Sequence, residues 1–265
     1  MSRTGVMLSI AGSDPSGGAG IQADLKTAAA LGVYGATVLT ALTAQNTRGV
    51  TGVHAVPASF VAEQYEAVVT DLDVRAVKIG MLGSVEVVET VAAMLRAHPV
   101  PAVVLDPVMV ATSGDRLVPE DAADAILELL VPLATLVTPN VPEAEVLTGT
   151  RIGSADDLEA AGRALLAMGP GAVLAKGGHL AGDRCIDVLV SADGAQRLDS
   201  ARVRTRHTHG TGCTLSSAIA SYLVRGRDLP HAVASAKDYL TRALQAGADL
   251  DLGCGNGPVD HQVRG

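Results

Sequence analysis

Residues 208–222, THGTGCTLSSAIASY, set a glycine-rich turn directly before a helical repeat in which Leu215, Ile219 and Tyr222 recur on one face with Ala218. The first N–H groups of any helix lack intrahelical partners, and Gly210 and Gly212 let the backbone approach a ligand closely. An anion suits such a turn. A plain loop capped by Thr211 accounts for the same residues, so the rest of the chain has to decide between the two.

Two further glycine-rich readings fail at the N-terminus. In 12–20, GSDPSGGAG, a phosphate loop of the GxxxxGK[ST] type would need Lys where Gly18 stands. Gly18-Ala19-Gly20 followed by Ala23 resembles a dinucleotide fingerprint, but no acidic residue lies between Lys26 and Glu63 to hold a ribose hydroxyl. What remains is a flexible loop over a cleft mouth, followed by a helix bearing Asp24, whose carboxylate either complements the helix dipole or meets a ligand.

Other polar residues fall just after short apolar runs: Gly12 and Asp14, Gln45, Gly80, Asp106, Asn140 with Glu143, and Lys176 with Gly177 and Gly178. Asp106 and Glu143 are suited to hold Mg²⁺ directly or through water, and Lys176 to neutralise a phosphate. Each also has a local explanation. Asp106 precedes Pro107, Glu143 follows Pro142 in a first helical turn, and Lys176 can snorkel from a strand end. Taken together, oriented amides, hard-metal ligands and a cation describe phosphoryl transfer.

The elements that must position these groups alternate along the chain. Runs 6–11, 36–42, 76–79, 102–105, 136–138 and 172–175 read as strands, and 21–31, 59–70, 85–97, 119–133 and 156–168 as helices, the fourth opening on Pro119. This alternation implies βαβ units and an α/β fold with a mostly parallel central sheet flanked by helices on both faces. Runs 186–190, 196–198 and 201–203 around Ala192-Asp193-Gly194 read as a short β-hairpin region at one edge. Ligands of open α/β sheets bind beyond the carboxyl ends of the strands, where the polar residues fall.

Composition agrees with this architecture. The 265 residues contain no Trp and only one Phe, so the core is left to Val, Leu, Ile and Ala, as in a parallel sheet buried on both faces. No linker or composition shift appears, and residues 1–265 are expected to form one domain. A net charge of −8 without a basic stripe argues against nucleic acid. The charge-free stretch 27–47 is broken by Gly32 and Gly35 and reads as a helix end followed by a strand, not a membrane span. Cys185, Cys213 and Cys254 form no CxxC pair, so a reducing, cytoplasmic setting is expected.

Seven ordered blocks resemble the hydroxymethylpyrimidine and phosphomethylpyrimidine kinases of thiamine biosynthesis, a branch of the ribokinase-like superfamily. They are AGSDPSGGAGIQADLKT at 11–27, TALTAQNT at 40–47, KIGML at 78–82, LDPVMVATSGDRL at 105–117, TPNVPEAEVLTG at 138–149, KGGH at 176–179 and THGTGCTLSSAIA at 208–220. The resemblance implies an ATP- and Mg²⁺-dependent kinase of 4-amino-5-hydroxymethyl-2-methylpyrimidine and of its monophosphate, a homodimer like related kinases. It implies that Gln45 binds the aminopyrimidine, with Gly12, Asp24 and Met81 beside it. An amide and a carboxylate can read an amino group and ring nitrogens where apolar walls read only shape.

By the same resemblance Asn140 and Glu143 form an NxxE element near Mg²⁺ and phosphates, with Asp106 on the metal side and Lys176 on the phosphate side. Gly210, Gly212 and Cys213 make the anion hole, and Thr211 and Lys237 border the nucleotide. Most sugar kinases of the superfamily place an Asp base where this chain has Cys213. A thiol near 8.5, lowered by a helix N-terminus, is expected to serve as base near neutrality; the alternative is that Cys213 contributes only its N–H. A pyridoxine-type kinase is the alternative substrate reading, and a pyrimidine- or nucleotide-sensing protein without turnover is the alternative from another class.

Overall fold

The computed structural model of the chain describes residues 5–109 and 120–263. Nine strands form one sheet: β1 (Val6–Ser13), β2 (Tyr34–Asn46), β3 (Gly49–Ala55), β4 (Val74–Ile79), β5 (Ala102–Leu105), β6 (Leu136–Val137), β7 (Ala172–Ala175), β8 (Arg184–Ser191) and β9 (Gly194–Ala201). Their order is β3-β2-β1-β4-β5-β6-β7-β8-β9. The central pairings from β2 through β7 are parallel, whereas β3, β8 and β9 pair antiparallel at the edges.

The central strands are runs of Val, Ile, Leu and Ala because both faces are covered. On one face α2 (Ala58–Val69), α3 (Val85–Ala97) and α4 (Glu120–Ala125) with the turns that follow it contribute to a core that includes Val61, Tyr65, Val91 and Leu130. On the other, α7 (Thr211–Val224) and α8 (Leu229–Gly247) join α1 (Gly20–Ala30) around Leu215, Ile219, Tyr222 and Tyr239. Two helices cover the β7–β8 end, α5 (Val141–Thr148) and α6 (Ala155–Leu166). The stretch 27–47 divides as expected between α1 and β2, and among the described residues no helix is long and apolar enough to cross a membrane.

Several boundaries differ from expectation. The strand expected at 36–42 runs on to Asn46 because it leaves the sheet as an antiparallel ribbon with β3, a strand not anticipated from its half-polar GVTGVHA. The hairpin is one pair of eight-residue strands joined at Ala192-Asp193. A separate strand at 201–203 is not found: β9 ends at Ala201, and Arg202 instead turns its guanidinium onto the carbonyls of Gly178, Leu180 and Gly182. The helix expected at 119–133 becomes α4, a π-helical turn over Ile126–Leu130 and a 3-10 turn ending at Leu133; Pro119 lies outside the described residues.

Candidate active site

The glycine turn opens α7 as anticipated. Gly210 is the N-cap, with φ 78° and ψ 9°, and a Cβ there would stand 1.8 Å from the Gly18 carbonyl oxygen, so only glycine fits. Gly212 faces the other way. A Cβ on it would lie 3.3 Å from Asp106 Oδ2 and 3.5 Å from Lys176 Nζ, which puts the start of the helix directly over a buried charge pair.

That pair joins two strand ends. Lys176 Nζ donates to Asp106 Oδ1 at 2.7 Å, Thr138 to the same oxygen at 3.0 Å, and Ser216 of α7 to Oδ2 at 3.3 Å. Burial works against the Asp106 charge, but the Lys176 and Lys78 ammoniums outweigh it and hold the carboxyl below its usual range. Lys176 is raised in turn: burial opposes its charge, and Asp106 and Glu143 more than compensate.

Glu143 closes a capping box on α5. The Asn140 side chain accepts from the Glu143 N–H at 3.0 Å, and a Glu143 carboxylate oxygen accepts from the Asn140 N–H at 2.8 Å. Its pKa is pushed upward by burial, with Lys176 opposing and the Asp106 charge adding to the rise. Two buried carboxylates that repel each other across a lysine are a hard-oxygen donor set that a divalent cation would relieve. Among the described residues no group of three or more His, Cys, Asp or Glu could by itself hold a metal ion, so any Mg²⁺ would draw its remaining ligands from phosphates and water.

At the other end of the cleft, Gly12 and Met81 touch. A Cβ on Gly12 would stand 2.5 Å from Met81 Cε, and Thr40 Oγ1 anchors the Met81 carbonyl at 2.7 Å. Gln45 is half-buried in the part of β2 paired with β3, and its Oε1 lies 3.1 Å from Thr43 Oγ1, itself donating to the Ser13 carbonyl at 2.8 Å. These contacts bring Gln45, Gly12 and Met81 to one wall. Asp24 lies behind it: fully buried, its carboxylate accepts from Ser9 at 2.5 Å, Ser217 at 2.6 Å and Lys78 at 2.9 Å. The structure thus gives Asp24 a charge partner beneath the site where a direct ligand contact was expected.

Three other expectations change. Burial pushes the Cys213 thiol up to about 11, with Lys78 pulling against it and Asp24 and Asp106 adding to the rise. A resting thiolate near neutrality is therefore not what this turn holds, because loss of solvent outweighs the helix N-terminus. The Lys237 ammonium points inward, donating to Asp187 at 2.7 Å and to the Cys185 carbonyl at 3.0 Å; Asp187 in turn accepts from Gly177 N at 2.8 Å, fixing the backbone just after Lys176. The loop 12–20, expected as a flexible cover, is fastened by the buried Asp14, which accepts from the N–H groups of Ser16, Gly18 and Ala19.

Lys78, Thr138, Ser216 and Asp187 were not singled out from the sequence. Lys78 did leave a signal: one cation inside an apolar strand run needs a buried partner. A surface hollow of about 570 Å³ between α2 and α3 is lined by Ala62, Ala67, Ala93 and Met94 among others and by none of the strand-end residues. The convergence of side chains, not cavity size, marks the site.

A doubly flanked sheet with a glycine turn over a carboxylate–lysine pair at its strand ends is the architecture of a ribokinase-like phosphotransferase. The chain belongs to the phosphomethylpyrimidine kinase family, whose model matches residues 14–260. It is 53% identical over 259 residues to the hydroxymethylpyrimidine/phosphomethylpyrimidine kinase of Rhizobium meliloti, covering 97% of each chain. The crystal structure of phosphomethylpyrimidine kinase from Clostridium difficile is 44% identical, with a TM-score of 0.81 over 90% of this chain and 99% of that one. The pyridoxal kinase of Staphylococcus aureus in complex with AMP-PCP and pyridoxal is 32% identical, with a TM-score of 0.90 over 99% of this chain and 95% of that one.

Proposed function

We propose that the chain, acting as one kinase domain, transfers the γ-phosphoryl of ATP to the hydroxymethyl oxygen of 4-amino-5-hydroxymethyl-2-methylpyrimidine and then phosphorylates the monophosphate. The observation that carries this is the close stacking of the Gly212 turn over the Asp106–Lys176 pair, with the Gly12, Met81 and Gln45 wall at the same strand ends. The 53% identity to a kinase named for these substrates supports the pyrimidine over pyridoxal, since the pyridoxal kinase stands at 32%.

In this reading Gln45 presents its amide to the aminopyrimidine while Gly12 and Met81 supply the flat wall, with Asp24 reaching the site through Lys78 and Ser217. The N–H groups at Gly212 and Cys213 hold the transferring phosphoryl oxygens, with Gly210 shaping the turn and Thr211 on the nucleotide side. Lys176 exchanges its contact with Asp106 for one with phosphate, Asn140 lies beside the nucleotide phosphates, and Lys237 steadies the 176–178 turn from behind. Asp106 and Glu143 would hold Mg²⁺, which would supply positive charge to offset that of the phosphates. Cys213 accepts the hydroxyl proton through its minority thiolate. A loose transition state asks little of a base, so a small thiolate fraction is compatible with turnover.

The complex of a related kinase with AMP-PCP supports ATP as donor. The exposed Leu42 and Val53, on opposite faces of the β2–β3 ribbon, leave apolar surface there in keeping with a homodimer, and a cytoplasmic setting suits three free cysteines. Incubation of purified protein with Mg·ATP and the pyrimidine tests the reading; a folded protein that binds both yet releases no ADP would point instead to a sensor.

A further inference from the structure

Asp14 is a carboxylate with 1% exposure and five protein donors. Oδ1 accepts from Ser16 N at 2.9 Å and Ser16 Oγ at 2.7 Å; Oδ2 accepts from Gly18 N at 3.1 Å, Ala19 N at 2.8 Å and His209 Nε2 at 2.8 Å. Burial opposes this charge, but His209, Ser16 and the loop amides hold the carboxyl well below its usual range. An ionised carboxylate only accepts, so the His209 ring carries its proton on Nε2.

His209 is clamped from both sides. Its N–H donates to the Gly257 carbonyl at 3.0 Å, and a Cβ on Gly18 would meet His209 Cδ2 at 2.5 Å and Pro258 Cβ at 3.1 Å. The next residue is Gly210, pressed against the Gly18 carbonyl. Two chain segments almost 200 residues apart in sequence are therefore locked at two points, Asp14 to His209 and Gly18 to Gly210.

We infer that Asp14 and His209 form a latch that fixes the spacing between the pyrimidine wall and the anion turn, and so act as positioning residues for phosphoryl transfer. The inference rests on the function proposed above. Immediately before Asp14 stand Gly12 and Ser13, which meet Met81 and Thr43; immediately after His209 come the amides that face the phosphoryl group. The latch thus ties the holder of the attacking oxygen to the holder of the phosphorus. A displacement of about 1 Å between such partners costs on the order of 100-fold in rate, whereas each ligand still finds its own half of the site intact. That predicts an effect on turnover larger than on either binding step.

The test compares His209→Phe, which keeps a ring and loses the donor, with His209→Gln, whose amide nitrogen falls near the position of Nε2. The expected result is a kcat at least about tenfold lower in the phenylalanine variant. KM for each substrate and the binding of each ligand alone by calorimetry should shift less than about threefold, while the glutamine variant recovers most of kcat. Wild-type kcat in the phenylalanine variant, equal losses in both variants, or losses confined to KM would each overturn the latch. Should the phenylalanine variant fail to fold, His209→Asn, whose donor stops short of Asp14, replaces it, and equal kcat for Asn and Gln would overturn the latch. Wild-type enzyme is assayed alongside, so a failure of the proposed function shows as no turnover in the control.

Discussion

At Cys213 two effects compete. A helix start favours the thiolate, whereas the partial burial of this residue, joined by the Asp24 and Asp106 charges, favours the thiol; burial wins, leaving the group at about 11. If the minority thiolate takes the hydroxyl proton, kcat rises with pH from 7 toward 9, and Cys213→Ala flattens that rise; a pH–rate series at saturating substrates reads both. Alkylation of Cys213 in the free protein should likewise be slow at neutral pH and accelerate with added base. For Gln45 the expected outcome of Gln45→Ala is a KM for the pyrimidine raised about tenfold, on the order of one lost hydrogen bond to a polar ring, with KM for ATP unchanged. Most of these side chains were legible in the sequence because each follows a strand end. The electrostatics were not, since the rise at Cys213 comes from burial beside Asp24 and Asp106, and the engagement of Asp24 and Lys237 depends on Lys78 and Asp187, partners from distant strands.

The elements were readable wherever periodicity and burial agreed. The central strands and α1, α2, α3, α6 and α7 fall within a few residues of expectation because one apolar pattern serves one packing face. The β2–β3 ribbon was missed for the opposite reason: it projects from the sheet, its outer strand is exposed, and its pattern carries no core signature. One buried link between elements carries a clear stability expectation. Lys78 in β4 holds Asp24 of α1 at 2.9 Å, and Ser217 brings α7 to the same carboxylate at 2.6 Å. Removing one partner of a buried pair leaves an uncompensated charge, so Lys78→Met should destabilise the fold by about 3–5 kcal/mol in denaturant titration. The double variant with Asp24→Asn should recover part of that loss, a coupling that a surface pair would not show.

For the molecule as a whole, the two edges of the sheet are antiparallel and the site spans its parallel centre, with the C-terminal segment lashed across the back of the glycine turn. There His261 Nε2 lies 3.0 Å from Thr214 Oγ1, and burial pulls its pKa down from 6.5 to about 4. A histidine whose folded value lies below its unfolded value favours the unfolded chain as acid is added. Its contribution is intact above pH 6.5 and is lost as the pH falls toward 4, by on the order of 3 kcal/mol. Melting curves across that window should be steeper in pH for the wild type than for His261→Gln. The central claim is the phosphorylation itself, and it is tested most directly by kcat/KM for 4-amino-5-hydroxymethyl-2-methylpyrimidine against pyridoxal with Mg·ATP as donor. The expected result is clear turnover with the pyrimidine preferred; a folded enzyme that phosphorylates pyridoxal better, or neither compound, would contradict it.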